Sequence, residues 1–178
     1  MIFNLPIFLT TLRILAIPLV IVFFYLGMPL TSSTIFGLAG LTDWADGFIA
    51  RKYNLESRFG AFLDPVADKL IVAVALILVV AREGNLWITL AGILIISREL
   101  IISALREWMA ETGERSKVAV AYSGKVKAVA QIFALIFLLY NQDLWGLPLR
   151  EVGLVLLAVA TVLTIVSMLQ YLWSAFKA

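Results

Sequence analysis

The sequence contains no cysteine and no histidine. The first absence excludes disulfides, thiol nucleophiles and thiolate metal ligands. The second excludes a phosphohistidine intermediate, a Ser-His-Asp triad and imidazole ligation. A bound metal ion would therefore have to be held by oxygen, which favours Mg²⁺, Mn²⁺ or Ca²⁺ over Zn²⁺. Charge is scarce as well. Only 15% of the 178 residues are charged, against about 25% in an average soluble domain. The net charge of +2 is too small to argue for nucleic acid as a partner. No repeat, low-complexity tract or polar linker divides the chain.

What remains is apolar. Hydrophobic residues make up 62% of the chain, and the mean hydropathy is +1.01. These values predict an all-α integral membrane protein folded as one domain over residues 1–178. Polar turns divide the apolar runs into six transmembrane helices, the first preceded by a short N-terminal interfacial segment. The runs are Leu5–Leu26, 31–51, Gly60–Ala81, Leu86–Ala110, Val118 or Gly124 to Tyr140, and Val152–Phe176. A signal peptide is the other reading of the first run. Arg13 inside it, Pro18 and the lack of a small-x-small cleavage site speak against that.

Lys and Arg are unevenly placed. Arg51, Lys52, Arg58, Arg106, Arg115, Lys117, Lys125, Lys127 and Lys177 fall on the side of the N-terminus and the second-to-third turn. Arg82 and Arg150 fall on the other. The positive-inside rule then puts the N-terminus in the cytoplasm. Trp87, Trp108, Trp145, Trp173 and Tyr140 lie near run ends, as an interfacial belt requires.

Within this apolar chain, residues 43–68 carry four aspartates. Asp43 and Asp46 are spaced i, i+3, and Asp64 and Asp68 are spaced i, i+4, so each pair shares a helix face. The second run ends and the third begins at the same membrane face, so the pairs meet across the turn. Pro65 suits a first helical turn, which would put Asp64 near the positive end of the helix dipole. Converging carboxylates at membrane depth repel one another and are costly to bury. A pair of divalent cations is the natural counter-charge. Gly47, Ala50 and Gly60 lie in register with the acids and leave room for a ligand against the backbone, and Arg51 adds a fork suited to phosphate oxygens.

The spacing Asp43-x2-Asp46-Gly47-x2-Ala50-Arg51-x8-Gly60-x3-Asp64-x3-Asp68 resembles the signature of the CDP-alcohol phosphatidyltransferase family at every defined position. The resemblance implies a six-helix membrane fold, usually a homodimer, with a dinuclear Mg²⁺ or Mn²⁺ site that binds a CDP-linked donor. It implies that Asp43, Asp46, Asp64 and Asp68 ligate metal and that Asp68 is also the general base. Asp46, Gly47, Ala50, Arg51 and Gly60 would line the donor pocket. Further similarity runs through Asn4-Leu5-Pro6 with Thr11 and Arg13, residues 59–69, Arg98-Glu99, residues 103–108 and residues 124–127. These stretches resemble the bacterial branch of the family that makes phosphatidylglycerol phosphate. That branch implies CDP-diacylglycerol as donor, sn-glycerol 3-phosphate as acceptor and the bacterial inner membrane as location.

A phosphorylated acceptor needs cations. On the fourth run Glu99, Ser103 and Arg106 form one stripe, flanked by Arg98. On the fifth, Lys127 and Gln131 are one turn apart, while Lys125 points elsewhere. Arg106 and Lys127 are the expected phosphate contacts, with Arg98, Lys125 and Arg13 as further candidates. Positive-inside anchoring with snorkelling side chains also accounts for Arg106, Lys125 and Lys127. A structural pairing with Glu99 also accounts for Arg98. Two other functions stay open at this point. One is the same chemistry on serine, inositol phosphate or phosphatidylglycerol. The other is cation transport, against which stands the clustering of the acids at one side of the membrane.

Overall fold

The computed structural model describes residues 5–53, 58–112 and 122–176. Within these, the side chains of 5–7, 43–53, 58, 59, 61, 122, 123, 125 and 174–176 lie outside the description. The described residues form six helices. They are α1 Leu5–Tyr25, α2 Pro29–Tyr53, α3 Arg58–Glu83, α4 Leu86–Glu111, α5 Tyr122–Tyr140 and α6 Leu149–Phe176. The only β pairing among them is an isolated bridge between Leu144 and Leu147. Three helices are long and apolar enough to cross a membrane: α1 over Phe8–Tyr25, α4, and α6 over Leu149–Trp173. In α2 and α3 the acids and bases of the 43–69 region interrupt the apolar run. The apolar stretch of α5, Val126–Tyr140, is shorter.

One local expectation is corrected. α3 begins at Arg58, so Pro65 and Asp64 lie about two turns inside the helix and not in its first turn. The helix dipole acts mainly within the first turn, so it does not account for Asp64. In apolar surroundings a helix satisfies nearly every backbone group, which outweighs the one bond a proline forfeits. The same balance carries α1 unbroken from Leu5 through Pro18 to Tyr25, and the N-terminal lead before Leu5 lies outside the described residues.

The turns follow from local chemistry. Gly27 has φ +69°, and around it Gly27 N–H donates to Phe24 O and Met28 N–H to Phe23 O. This double bond pattern closes the end of α1, and Pro29 opens α2 where no N–H is needed. Gly84, at φ +58°, ends α3. Asn85 then caps α4 by accepting from the Trp87 N–H at 2.8 Å.

The helices pack in a ring, α1–α2–α5–α6–α4–α3, closed by α3 against α1, with α3 also touching α5 and α2 across it. The core is built chiefly from α3 and α5. Ala75, Leu76 and Val79 meet Ala134, Leu135, Leu138 and Leu139, all fully buried, with Ile95 of α4 against them. Outward faces remain apolar, as with Leu15 and Leu19 of α1, Leu100 of α4, and Val155, Val162 and Leu169 of α6. Trp87, Trp108, Trp145 and Trp173 are exposed, as a belt requires.

In lipid, close packing replaces the hydrophobic effect between helices, so small residues matter. A Cβ on Gly37 would lie 3.4 Å from Ile136 Cδ1, and one on Gly40 3.8 Å from Ile132 Cγ2. Gly153 is tighter still, with a Cβ falling 2.9 Å from Leu138 Cγ and 3.2 Å from Phe137 Cβ. Leu138 is fully buried and cannot give way cheaply. Gly153→Val is therefore expected to destabilise the α5–α6 contact by about 1–3 kcal/mol. A lowered thermal midpoint of the detergent-solubilised protein is the readout.

At the end holding the α3–α4 turn, Arg82 donates to the carbonyls of Leu138 and Leu139. Glu83 accepts from Arg150 at 2.6 Å. These bonds tie α3, α5 and α6 together there. The opposite end, where α1, α3 and α5 begin, holds Asp64, Asp68 and Lys127.

Candidate active site

Asp64 and Asp68 lie one helical turn apart on α3 and line a cavity of about 450 Å³. The cavity extends to Arg98, Glu99 and Arg106 of α4, Lys127 and Gln131 of α5, and Tyr171 of α6. Phe36, Ala39 and Gly40 of α2 and Ile71, Val72 and Ile132 supply an apolar wall. One chamber thus holds carboxylates on α3 and cations on α4 and α5.

Each charged group has a definite setting. The buried Thr10 of α1 donates its hydroxyl to Asp64 Oδ1. One turn on, Arg13 Nη1 donates to Asp68 Oδ1 at 2.6 Å, with Arg13 fully buried and Asp68 42% exposed. Glu99 accepts from Lys127 and, at 3.1 Å, from Arg98 Nη1. Arg98 Nη2 also donates to Ser167 Oγ at 3.1 Å. Arg106 Nη2 donates to the Tyr171 hydroxyl at 2.8 Å. The Tyr171 ring faces both guanidinium carbons, Arg98 at 5.4 Å and Arg106 at 5.2 Å. Lys69 donates to Ser103.

Of the residues singled out from sequence, Arg13, Asp64, Asp68, Arg98, Arg106 and Lys127 all border this chamber. Gly60 is buried one turn before Asp64 on α3. The side chains of Asp43, Asp46, Gly47, Ala50, Arg51 and Lys125 lie outside the described residues. The backbone of α2 is helical through Tyr53, so positions 43, 47 and 50 recur on one face in the turns following the cavity-lining Gly40.

Sequence reasoning passed over three participants. Thr10, Ser167 and Tyr171 carry no charge and sit far along the chain from their partners. A signal was present on α6, where Ala160, Thr164, Ser167 and Tyr171 recur at three- and four-residue spacing and are all buried.

The carboxylates suit hard divalent cations, which take oxygen ligands. Among the described residues no group of three or more acidic ligands gathers. Two carboxylates share one cavity wall, and the α2 backbone carries positions 43 and 46 on the neighbouring helix. On the cationic side, Arg98 Nε and Arg106 Nε are buried without a hydrogen-bond partner among the described residues. Buried donors of this kind call for an acceptor, and a phosphate oxygen is the matching one.

Known proteins resemble this chain over nearly its whole length. Residues 3–166 match the CDP-alcohol phosphatidyltransferase family. The CDP-diacylglycerol–glycerol-3-phosphate 3-phosphatidyltransferase of Salmonella choleraesuis (strain SC-B67) is 52% identical over 176 residues, 97% of this chain and 95% of the relative. The protein of the same name from Shigella flexneri is 51% identical over 97% and 95%. That from Haemophilus influenzae is 51% identical over 96% and 92%. A match over nearly the whole length, with the family's acid spacing intact, means that this chain belongs to the CDP-alcohol phosphatidyltransferase family.

Proposed function

We propose that this chain transfers the phosphatidyl group of CDP-diacylglycerol to sn-glycerol 3-phosphate, yielding phosphatidylglycerol phosphate and CMP. The observation that carries the reading is the mixed chamber. Carboxylates suited to a diphosphate–metal assembly and buried cations suited to a phosphorylated acceptor border one cavity. Near-full-length relatives named for this reaction support the same choice.

The acceptor's phosphate lies among Arg98, Arg106 and Lys127, which holds its free terminal hydroxyl toward α3. Asp68 takes the proton of that hydroxyl as its oxygen bonds to the β-phosphorus of the donor. The bond from that phosphorus to the bridging oxygen breaks, and CMP departs with the electron pair. The chain has no histidine or cysteine to form a covalent intermediate, so a single displacement suffices. Gly47, Ala50, Arg51 and Gly60 line the donor side. Asp43, Asp46, Asp64 and Asp68 would hold two divalent cations, Mg²⁺ or Mn²⁺, whose charge when bound offsets that of the donor diphosphate.

All six helices span a bacterial inner membrane in this reading. The Lys and Arg distribution supports a site that opens to the cytoplasm, and the family resemblance supports a homodimer. The test is purified protein given CDP-diacylglycerol with glycerol 3-phosphate, serine, inositol phosphate or phosphatidylglycerol in turn. CMP release with glycerol 3-phosphate alone is expected. Release with another acceptor and none with glycerol 3-phosphate would sink the assignment.

A further inference from the structure

Two polar residues on α1 have no place in the acidic motif, yet both reach it. Thr10 and Arg13 are fully buried in a helix apolar enough to cross a membrane. Buried polar groups in such a segment are costly and call for a specific partner. Their partners are Asp64 and Asp68. Thr10 and Arg13 are spaced i, i+3 and the acids i, i+4, so the bonds form successive rungs between α1 and α3. Each rung engages an Oδ1 atom of a carboxylate that borders the cavity. A donor held in this way fixes the plane of the carboxyl group and so the direction in which it meets a ligand. Partners of this kind carry 10–100-fold effects at metal sites, as an order of magnitude.

We infer that Thr10 is a positioning residue for Asp64: its hydroxyl, carried by α1, fixes the carboxylate in the orientation that receives a divalent cation. Arg13 forms the neighbouring rung and keeps α1 in register with α3. The inference rests on the proposed metal-binding role of Asp64. It extends the site to a helix that contributes no acidic residue.

The test is Mn²⁺ binding by the full-length protein in detergent, read from the free-ion electron paramagnetic resonance signal without CDP-lipid. Thr10→Val keeps the side-chain shape and removes the donor. Thr10→Ser keeps the donor and removes a methyl group. Thr10→Val is expected to weaken Mn²⁺ binding about 10–100-fold, with Thr10→Ser close to the parent. Thermal midpoints in EDTA for both variants separate a packing defect from lost orientation. Thr10→Val binding Mn²⁺ as tightly as the parent overturns the inference and leaves the metal reading standing. Equal weakening by Thr10→Ser and Thr10→Val also overturns it, because a retained hydroxyl then makes no difference. A parent protein that binds no Mn²⁺ overturns both.

Discussion

Asp68→Asn is expected to slow CMP release about 10²–10⁴-fold, the span that positioned proton transfer commonly contributes. The amide has nearly the shape of the carboxylate but takes up no proton from the acceptor hydroxyl. It also keeps a carbonyl oxygen for the buried Arg13 guanidinium, which donates to Asp68 Oδ1 at 2.6 Å. The α1–α3 contact therefore survives the change, and the thermal midpoint should move little beside the rate. Asp68 also counts among the proposed metal ligands, so the rate must be measured at Mg²⁺ or Mn²⁺ concentrations that saturate the variant. A deficit that persists at saturation belongs to the proton transfer. A deficit that added metal abolishes would make Asp68 a ligand only. Turnover close to the parent at ordinary metal concentration would remove it from the chemistry altogether.

The parts of this site that could be read from sequence share one property: they are expensive in an apolar chain. Asp64 and Asp68 cannot sit in a membrane helix without a reason, and neither can Arg98, Arg106 or Lys127. Their spacing alone placed them on common faces, and the cavity they share follows that placement. Thr10 shows where this legibility stops. A threonine hydroxyl in a helix can bond a carbonyl one turn back, as Thr164 does with Ala160. Its presence in an apolar run therefore advertises no partner, and Asp64 lies 54 residues away. Tyr171 is obscure for a different reason. An aromatic near the end of a span reads as part of an interfacial belt, yet this one is buried between two guanidinium groups. Helix starts were legible where a polar turn precedes an apolar run, as at Leu86, and misleading where proline was the cue. Pro65 suggested a beginning that α3 overrides by starting at Arg58.

The acceptor pocket should separate binding from chemistry. Arg106→Ala is expected to raise the KM for glycerol 3-phosphate about 10–100-fold. Hydrogen bonds to charged groups contribute about 1.5–3 kcal/mol, and each 1.4 kcal/mol is about tenfold. The KM for CDP-diacylglycerol should stay near the parent value, because Arg106 lies on α4 and donates to Tyr171 of α6 and not to a motif aspartate. Lys127→Met should act in the same direction with a different side effect. Lys127 and Arg98 share Glu99, so its removal leaves Arg98 as the cation holding that carboxylate and turns it further from the substrate. Lys127→Met is therefore expected to lose more affinity than Arg106→Ala. A Glu99→Gln, Lys127→Met double variant should recover part of the difference, because the neutral amide no longer draws on Arg98. Free glycerol lacks the phosphate, so whatever CMP release it supports at high concentration should be indifferent to all three changes. The preference for glycerol 3-phosphate over glycerol then falls by the same factor as the affinity. An unchanged KM in both single variants would mean that these cations serve only to hold α4, α5 and α6 together through Glu99 and Tyr171.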